Sequence, residues 1–208
     1  QQLSYSGAYR LVLEKVTPGK DGAAESVEQL DVEDIPLKLT REDELQAAES
    51  WFADRDILPN PSPMSWSSGM TRHDVTVSLY RLAGSPKVEL PATSPYADVA
   101  PNDPDYAAYI WARQKGITFG WSDGKFHADA GISNATVAAF TYRAAGSPAV
   151  KGDSPYSDVD PGSAFYREIL WSTQQYVINP DFGSFNATDL VNRGQLEQML
   201  FNFQNRAK

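Results

Sequence analysis

Apolar residues recur along most of the chain at the three- and four-residue spacing of amphipathic helices. Because residues three and four apart lie on one side of a helix, this spacing predicts helices with one buried face. The clearest stripes are Val75, Leu79 and Leu82; Val137, Phe140 and Ala144; and Leu196, Met199, Leu200 and Phe203. The pattern therefore predicts a mainly helical chain from about residue 40 onward.

The first 39 residues follow a different pattern. Segments 9–16 and 26–32 alternate loosely between apolar and polar positions, and Pro18-Gly19 and Asp21-Gly22 lie between them as turn signals. We expect a β-hairpin or the tail of a preceding domain here, the alternative being a flexible linker. The chain opens at Gln1 with neither an initiator Met nor a signal peptide, which favours a fragment or a mature form.

The rest of the chain repeats itself about every sixty residues. Segment 94–99, Ser-Pro-Tyr-Ala-Asp-Val, returns at 154–159 as Ser-Pro-Tyr-Ser-Asp-Val, and Trp51, Trp111 and Trp171 fall at the same period. Three copies are predicted, at 40–93, 94–153 and 154–208, each a helix, a loop and a helix. A helix pair of this size cannot bury its apolar face alone, so the copies are expected to pack against one another.

Capping residues mark where the helices are expected to begin. Thr71, Ser133 and Asn192 precede the second helices, and Asp74 and Gln195 follow two of these caps at the spacing of a capping box. Asp103-Pro104 and Asp160-Pro161 are expected to cap the first helices of copies two and three, with Pro at the first helical position. Gly116, Gly84-Ser85-Pro86 and Gly146-Ser147-Pro148 are expected to end helices.

Composition excludes several classes of function. Acidic residues outnumber basic ones by 27 to 18, and the net charge of −9 argues against nucleic acid or anionic lipid as a partner. No apolar run approaches the roughly 18 residues of a membrane-spanning helix, so no membrane insertion is expected. With no cysteine and only His73 and His127, we predict no metal and no cofactor. No nucleophile elbow, phosphate loop or zinc-protease motif occurs, so we predict no enzyme activity.

The second copy resembles the S-layer homology (SLH) domain of Gram-positive, actinobacterial-like surface proteins. The likeness rests on Tyr-Ala-Asp-Val at 96–99, Gly116-Ile117, Gly-Trp-Ser-Asp-Gly-Lys-Phe at 120–126 and the helix start at Ser133. The resemblance implies three helix-loop-helix repeats packed as a pseudo-threefold bundle, with the three repeated tryptophans equivalent in space. It also implies a secreted, non-catalytic module of the cell surface or cell wall. Its partner would be an anionic secondary cell-wall polysaccharide, often pyruvylated in this family, held in grooves between repeats.

The site residues that the resemblance implies are spread over all three copies. Copy one keeps most of the Thr-Arg-Ala-Glu helix start as Thr71-Arg72-His73-Asp74, copy two has Ser-Asn-Ala-Thr at 133–136, and copy three keeps only Arg193. The Asp-Gly-x-Phe loop is intact at 123–126, altered at 181–185 and replaced at 64–69. The predicted polysaccharide-binding residues are Arg72, Asp74, Asp98, Trp121, Asp123, Gly124, Asp158 and Arg193.

Each of these residues has a structural alternative. Arg72 and Arg193 stand at the first helical position, where free N–H groups and a guanidinium together suit an anion; the alternative is packing on an aromatic ring or pairing with an acid. The repeated tryptophans are more often core than sugar platforms, whereas Trp66 and Trp121 in loops suit either role. For Asp98 and Asp158, the alternative role is to hold the loop that enters each repeat in place. The alternative function is a structural spacer or a protein–protein assembly module with decayed glycan sites, whose partners are other surface-protein domains.

Overall fold

The structure, a computed structural model, describes residues 7–17, 26–37, 41–53, 55–59, 67–178 and 183–206. Within them lie strands β1 (Gly7–Thr17) and β2 (Ser26–Leu37) and helices α1 (Arg41–Ala53), α2 (Arg72–Leu82), α3 (Tyr106–Gln114), α4 (Asn134–Ala144), α5 (Tyr166–Gln174) and α6 (Arg193–Arg206). The protein is mainly helical, as the apolar spacing predicts. The chain divides into two compact units, 1–47 and 48–208.

The first unit contains an antiparallel pair of strands. β1 and β2 run in register from Gly7 opposite Leu37 to Thr17 opposite Ser26, with an irregularity between Leu13 and Glu14. The expected strand pair is therefore present, and it is longer than the alternating segments alone indicate. The turn signals between the strands lie outside the described residues.

In the second unit, the second helix of each copy begins where its cap predicts. Thr71 accepts the N–H of Asp74, whose carboxylate accepts the N–H of Thr71 in return, and Asn192 and Gln195 exchange the same two bonds. Both capping boxes are confirmed. The apolar residues before the caps (Met70, Ile132 and Val191) are buried, as are those four positions into the helices (Val75, Val137 and Leu196). This is the spacing of a hydrophobic staple, which fixes the direction from which the chain enters the helix.

The first helices of copies two and three do not begin where the sequence predicts. The carboxylate of Asp103 accepts the N–H of Asp105 at 2.8 Å, and that of Asp160 accepts the N–H of Gly162 at 2.8 Å. Both residues thus form turns ahead of the helices, and α3 and α5 begin later, at Tyr106 and Tyr166. The predicted Asp-Pro caps are wrong because each carboxylate bonds within its own turn before a helix can form.

Three short segments before the second helices are joined by a closed ring of backbone hydrogen bonds. The N–H of Ile132 donates to the carbonyl of Met70 at 3.0 Å, Val191 donates to Ile132 at 2.9 Å, and Met70 donates to Val191 at 2.9 Å. All three side chains are at most 2% exposed. The ring therefore joins all three sequence copies through buried polar groups.

The repeated tryptophans each pack against an aromatic residue of a different copy. Ring centroids lie 5.6 Å apart for Trp111 and Tyr80, 5.6 Å for Trp171 and Tyr142, and 5.9 Å for Trp51 and Phe201. Tyr80, Tyr142 and Phe201 each stand nine residues after a helix cap. Trp111 and Trp171 are buried and Trp51 is half-buried, which confirms a core role for the first two.

Two clusters of buried side chains support the loops of copies two and three. One contains Tyr96, Val99, Tyr106, Tyr109, Ile110 and Phe126; the other contains Ala135, Ala138, Tyr156, Val159, Ile169 and Phe185. Gly116 ends α3 at a φ of +69°, as its position predicts. Among the described residues, no helix is both long and apolar enough to span a bilayer.

Truncating a repeated tryptophan is expected to test whether it belongs to the core. Trp171 is 4% exposed, so Trp171→Ala should lower the free energy of unfolding by about 3–5 kcal/mol, whereas Trp121→Ala, at a site 50% exposed, should lower it by less than about 1 kcal/mol. Urea denaturation of both variants measures the difference. Equal losses would contradict the assignment of Trp171 to the core.

Candidate functional site

The start of α2 meets segment 118–130 along a surface that we call the Arg72 seam. The backbone N–H groups of Arg72 and His73 donate to the carbonyls of Ala130 and Ala128, both at 2.9 Å. The N–H groups expected to be free for an anion are therefore already bonded within the protein. In this seam a ligand must be recognised by side chains.

The guanidinium of Arg72 lies at the base of this seam. Its Nε donates to the carbonyl of Phe126 at 3.0 Å and one terminal nitrogen donates to the hydroxyl of Thr118 at 3.2 Å. The rings of Phe126, Phe140 and Trp121 lie 5.2, 5.3 and 5.8 Å away. Arg72 is 5% exposed, and this burial lowers its pKa. The aromatic packing considered as the alternative for Arg72 is thus present.

Two glycines shape the loop above the guanidinium. The N–H of Trp121 donates to the carbonyl of Lys125 at 2.8 Å, which folds the loop back on itself. Gly120 has a φ of +83°, and a Cβ there would lie 2.5 Å from that same carbonyl oxygen. Gly124 has a φ of +78° and open space around it. Glycine is required at both positions by the backbone, and at Gly120 by the close approach as well.

Exposed aromatic rings lie on the outer side of the loop. Phe119 is 63% exposed and Trp121 is 50% exposed. The Trp121 ring stacks on the imidazole of His127 at a centroid distance of 3.9 Å, and Nε2 of His127 lies 2.7 Å from a carboxylate oxygen of Asp123. The guanidinium of Arg113 lies 5.4 Å from the Phe119 ring. The Arg72 seam therefore combines aromatic surface with positive charge.

Asp98 ties the loop to the segment that precedes α3. Its two carboxylate oxygens accept the N–H groups of Phe126 and His127 at 2.7 and 2.8 Å. Asp158 makes the same pair of bonds in copy three, to Phe185 at 2.7 Å and Asn186 at 2.8 Å. Burial acts to raise the pKa of Asp98, but the backbone N–H donors, with those of Phe126 and His127 first among them, together hold the pKa below its ordinary value. The N–H of Phe185 lowers the pKa of Asp158 in the same way.

The carboxylate of Asp74 is occupied by its own helix cap. One of its oxygens accepts both the N–H and the hydroxyl of Thr71 at 2.8 Å, and the residue is 3% exposed. Asp74 therefore stabilises the start of α2 and positions Arg72. The Asp74 side chain is buried, so its carboxylate offers no exposed surface to a ligand.

The start of α6 forms a second surface, the Arg193 seam, with the segment around Ser68. The N–H of Arg193 donates to the carbonyl of Ser68 at 2.9 Å, and its Nε donates to a carboxylate oxygen of Glu197 at 2.8 Å. Glu197 is 2% exposed, and burial raises its pKa while Arg193 acts in the opposite direction. The guanidinium of Arg193 thus has an acidic partner. Among the described residues, no ion pair involves the guanidinium of Arg72.

The start of α4 forms a third surface, the Asn134 seam, with segment 185–189. The N–H of Asn134 donates to the carbonyl of Asp189, and its side-chain amide donates to Phe185 at 3.3 Å and Asn186 at 3.1 Å. Its side-chain oxygen is buried and has no hydrogen-bond partner within the described part of the chain. This seam has a neutral amide in the place of the guanidinium.

The predicted site residues do not all come together. Arg72, Trp121, Asp123 and Gly124 meet at the Arg72 seam, and Asp98 holds its loop in place, whereas Asp158 and Arg193 belong to the other two seams. Sequence reasoning missed Phe119, Thr118 and His127. Phe119 and His127 flank the recognised loop, and only the turn of that loop brings His127 onto Trp121. The ligand role of all these residues stays a prediction.

Neither a scan against protein-family models nor a search of curated protein sequences finds a match to this chain.

The two clamping aspartates are expected to make the protein sensitive to acid. Because the pKa values of Asp98 and Asp158 are depressed in the folded state, their stabilisation is complete above the unfolded value near 3.9 and is lost as the pH falls through the folded values. Asp98→Asn should lower the melting temperature at pH 7 and flatten its fall between pH 5 and pH 2. Calorimetry across that range tests this expectation, and an unchanged acid limb in Asp98→Asn would contradict it.

Removing the buried guanidinium is expected to destabilise the protein. Arg72→Ala leaves the buried carbonyl of Phe126 without its donor, removes one of the two donors to the hydroxyl of Thr118 and leaves a cavity among aromatic rings, which should lower the free energy of unfolding by about 2–4 kcal/mol. Chemical denaturation measures this loss. As a comparison, Arg113→Ala removes a half-buried guanidinium of the neighbouring helix with a single carbonyl bond, to Phe119, and should cost less than half as much. A stability of Arg72→Ala equal to that of the wild type would contradict the structural role of Arg72.

Proposed function

We propose that this chain is a non-catalytic anchoring module of the cell surface, which binds an anionic secondary cell-wall polysaccharide at seams between three SLH-like repeats. The repeats pack around a pseudo-threefold axis, and the polysaccharide is held noncovalently. The proposal assigns no reaction and no cofactor to the chain. It places the principal binding site at the Arg72 seam.

Two sets of contacts support the threefold packing. The hydrogen bonds among Met70, Ile132 and Val191 link corresponding positions of the three copies in a cycle. The tryptophan pairs follow the same order. Trp111 contacts the second helix of copy one, Trp171 contacts that of copy two, and Trp51 contacts that of copy three. A cyclic order of equivalent contacts is what a closed threefold arrangement requires.

The observation that carries the binding proposal is the guanidinium of Arg72 beside the exposed ring of Trp121. Trp121 offers half of its surface to solvent, and its ring lies 5.8 Å from the guanidinium of Arg72. An aromatic face packs on the C–H face of a sugar, and a nearby guanidinium attracts an acidic substituent on that sugar. The seam therefore offers complementary surface to both parts of an acidic sugar.

The distribution of charge favours this seam over its equivalent in copy three. Segment 113–127 contains Arg113, Lys115 and Lys125 and a single acid, Asp123. The corresponding segment 173–186 contains no Lys or Arg, and its seam begins with Asn134. In a protein of net charge −9, the positive charges of Arg72, Arg113 and Lys125 near one loop favour an anionic ligand there.

A structural spacer or protein–protein assembly module is the second candidate. The pairing of Arg193 with Glu197 and the capped, buried state of Asp74 favour it, because both remove charge that a glycan site would use. Under this alternative the Arg72 seam holds repeats together without binding a polysaccharide. The two functions differ in whether exposed side chains of the seam affect binding to cell walls.

Co-sedimentation with sacculi purified from the source organism tests the proposal. The wild-type protein should sediment with sacculi that retain the secondary polymer and remain soluble after that polymer is chemically removed. Trp121→Ala should weaken binding at least about tenfold, or about 1.4 kcal/mol, because it removes the exposed ring without disturbing the core. Tyr176→Ala, which truncates a similarly exposed ring after α5, should bind as the wild type does.

The second measurement distinguishes the seams from one another. Asn134→Ala should leave binding within about twofold of the wild type, because the Asn134 seam supplies no cation to an acidic sugar. If binding survives Trp121→Ala but is lost in Asn134→Ala, the binding site lies at the Asn134 seam, and its assignment to the Arg72 seam is wrong. Absence of wild-type binding to intact sacculi would favour the spacer.

A further inference from the structure

We propose that His127 is a ligand-contacting residue of the Arg72 seam and that its protonation strengthens binding of an acidic sugar. This inference rests on the function proposed above, and it adds a specificity-determining residue and a pH dependence to it. It concerns one imidazole that the loop holds beside the exposed ring of Trp121.

The position of the imidazole is fixed from three sides. The backbone of His127 is left-handed, with a φ of +57°, and its N–H donates to the carboxylate of Asp98 at 2.8 Å. Its ring stacks on Trp121 with an interplanar angle of 30°. Its Nε2 lies 2.7 Å from the carboxylate of Asp123. A ring held in this way requires little further ordering when a ligand binds.

The two ring nitrogens have different surroundings. Nε2 is bonded to Asp123, whereas Nδ1 has no hydrogen bond within the described residues, and the side chain is 26% exposed. In the neutral ring, Nε2–H donates to Asp123 and Nδ1 presents a lone pair, which repels a carboxylate. Protonation places an N–H on Nδ1 and a positive charge on the ring. The same atom then becomes a charge-assisted donor to an acidic substituent.

Other charged groups around the imidazole keep their charge near neutral pH. The pKa of Asp123 is held below its ordinary value: burial acts to raise it, but the hydrogen bonds from His127 and from the N–H of Lys125, together with the nearby positive charges, lower it further. The pKa of Asp98 is depressed as well. Lys125, Arg72 and Asp129 are the other charged side chains of the seam. Imidazole is the side-chain type whose ordinary charge change lies closest to neutral pH, and the seam contains two imidazoles, those of His127 and His73.

His73, the other histidine, faces away from this ligand surface. Its Nδ1 is 2.7 Å from the hydroxyl of Tyr109, and its Nε2 is 3.8 Å from the carboxylate of Asp105. Those partners belong to the segment before α3 and to α3 itself. The structure therefore assigns the pH dependence to His127 and makes His73 a control.

Copy three supplies a matched substitution for His127. Asn186 occupies the corresponding position, with a φ of +54°, and its N–H donates to Asp158 at 2.8 Å as that of His127 does to Asp98. Asparagine is well tolerated in the left-handed region. His127→Asn should therefore keep the loop folded while removing the imidazole.

The test measures binding to sacculi of the source organism at pH 5.5 and pH 7.5 and constant ionic strength. The wild-type protein should bind about tenfold more tightly at pH 5.5, corresponding to about 1.4 kcal/mol. His127→Asn should bind equally at both pH values, at the wild-type affinity of pH 7.5 or below. His73→Gln should keep the wild-type pH dependence. Melting temperatures of the three proteins at both pH values exclude a difference in folding as the cause.

The outcomes separate this inference from the function on which it rests. Binding that is independent of pH in the wild type, or a pH dependence that persists in His127→Asn, would overturn the role of His127 and leave the anchoring function standing. Loss of the pH dependence in His73→Gln would show that His73 causes it, and this result would overturn the inference too. No wild-type binding at either pH would overturn both.

Discussion

A ring of three backbone hydrogen bonds, among Met70, Ile132 and Val191, is the constraint on which the helical unit depends. Each of these buried residues has its backbone polar groups bonded to two other copies of the repeat. A buried N–H or carbonyl without a partner costs free energy comparable to a lost hydrogen bond, so none of the three segments is satisfied alone. The staple positions on either side of each cap add apolar contacts at the same place. Closure of the ring therefore fixes the starts of the second helices relative to one another.

The same closure determines what a ligand can contact. The first N–H groups of α2 and α4 donate to carbonyls of the neighbouring copy, so the positive end of each helix is covered by protein. Specificity then lies with the side chain at the first helical position and with the loop opposite. Arg72 faces aromatic rings, Arg193 faces an acid and Asn134 faces carbonyls. One backbone plan thus produces three chemically different surfaces.

Sequence reasoning succeeded where the determining interactions are local. The caps at Thr71 and Asn192 and the glycine that ends α3 depend on contacts within four residues, and all are found where the pattern predicts them. It failed at Asp103, where two local arrangements compete for one carboxylate and sequence alone does not rank them.

At the site, the sequence placed Arg72 and Trp121 near the same loop through a resemblance, but the burial of the guanidinium depends on contacts 46 and 54 residues away along the chain. Glu197 stands four residues after Arg193 on one helix, so its pairing was readable from spacing. The stack of His127 on Trp121 was not, because it follows from a turn whose geometry is set by Gly120 and by the carboxylate of Asp98.

The ring also has a consequence for how the chain folds. Met70 and Val191 are about 120 residues apart in sequence, so their bond closes one of the longest loops that the helical unit allows. Helices form in microseconds from local contacts. Long-range closure is slower, because the chain loses conformational entropy before the stabilising contacts form. During synthesis, the first two copies emerge with one ring bond possible and two absent, and their apolar faces stay open until the last copy arrives. The order of the repeats thus makes the segment before α6 the one that closes the ring.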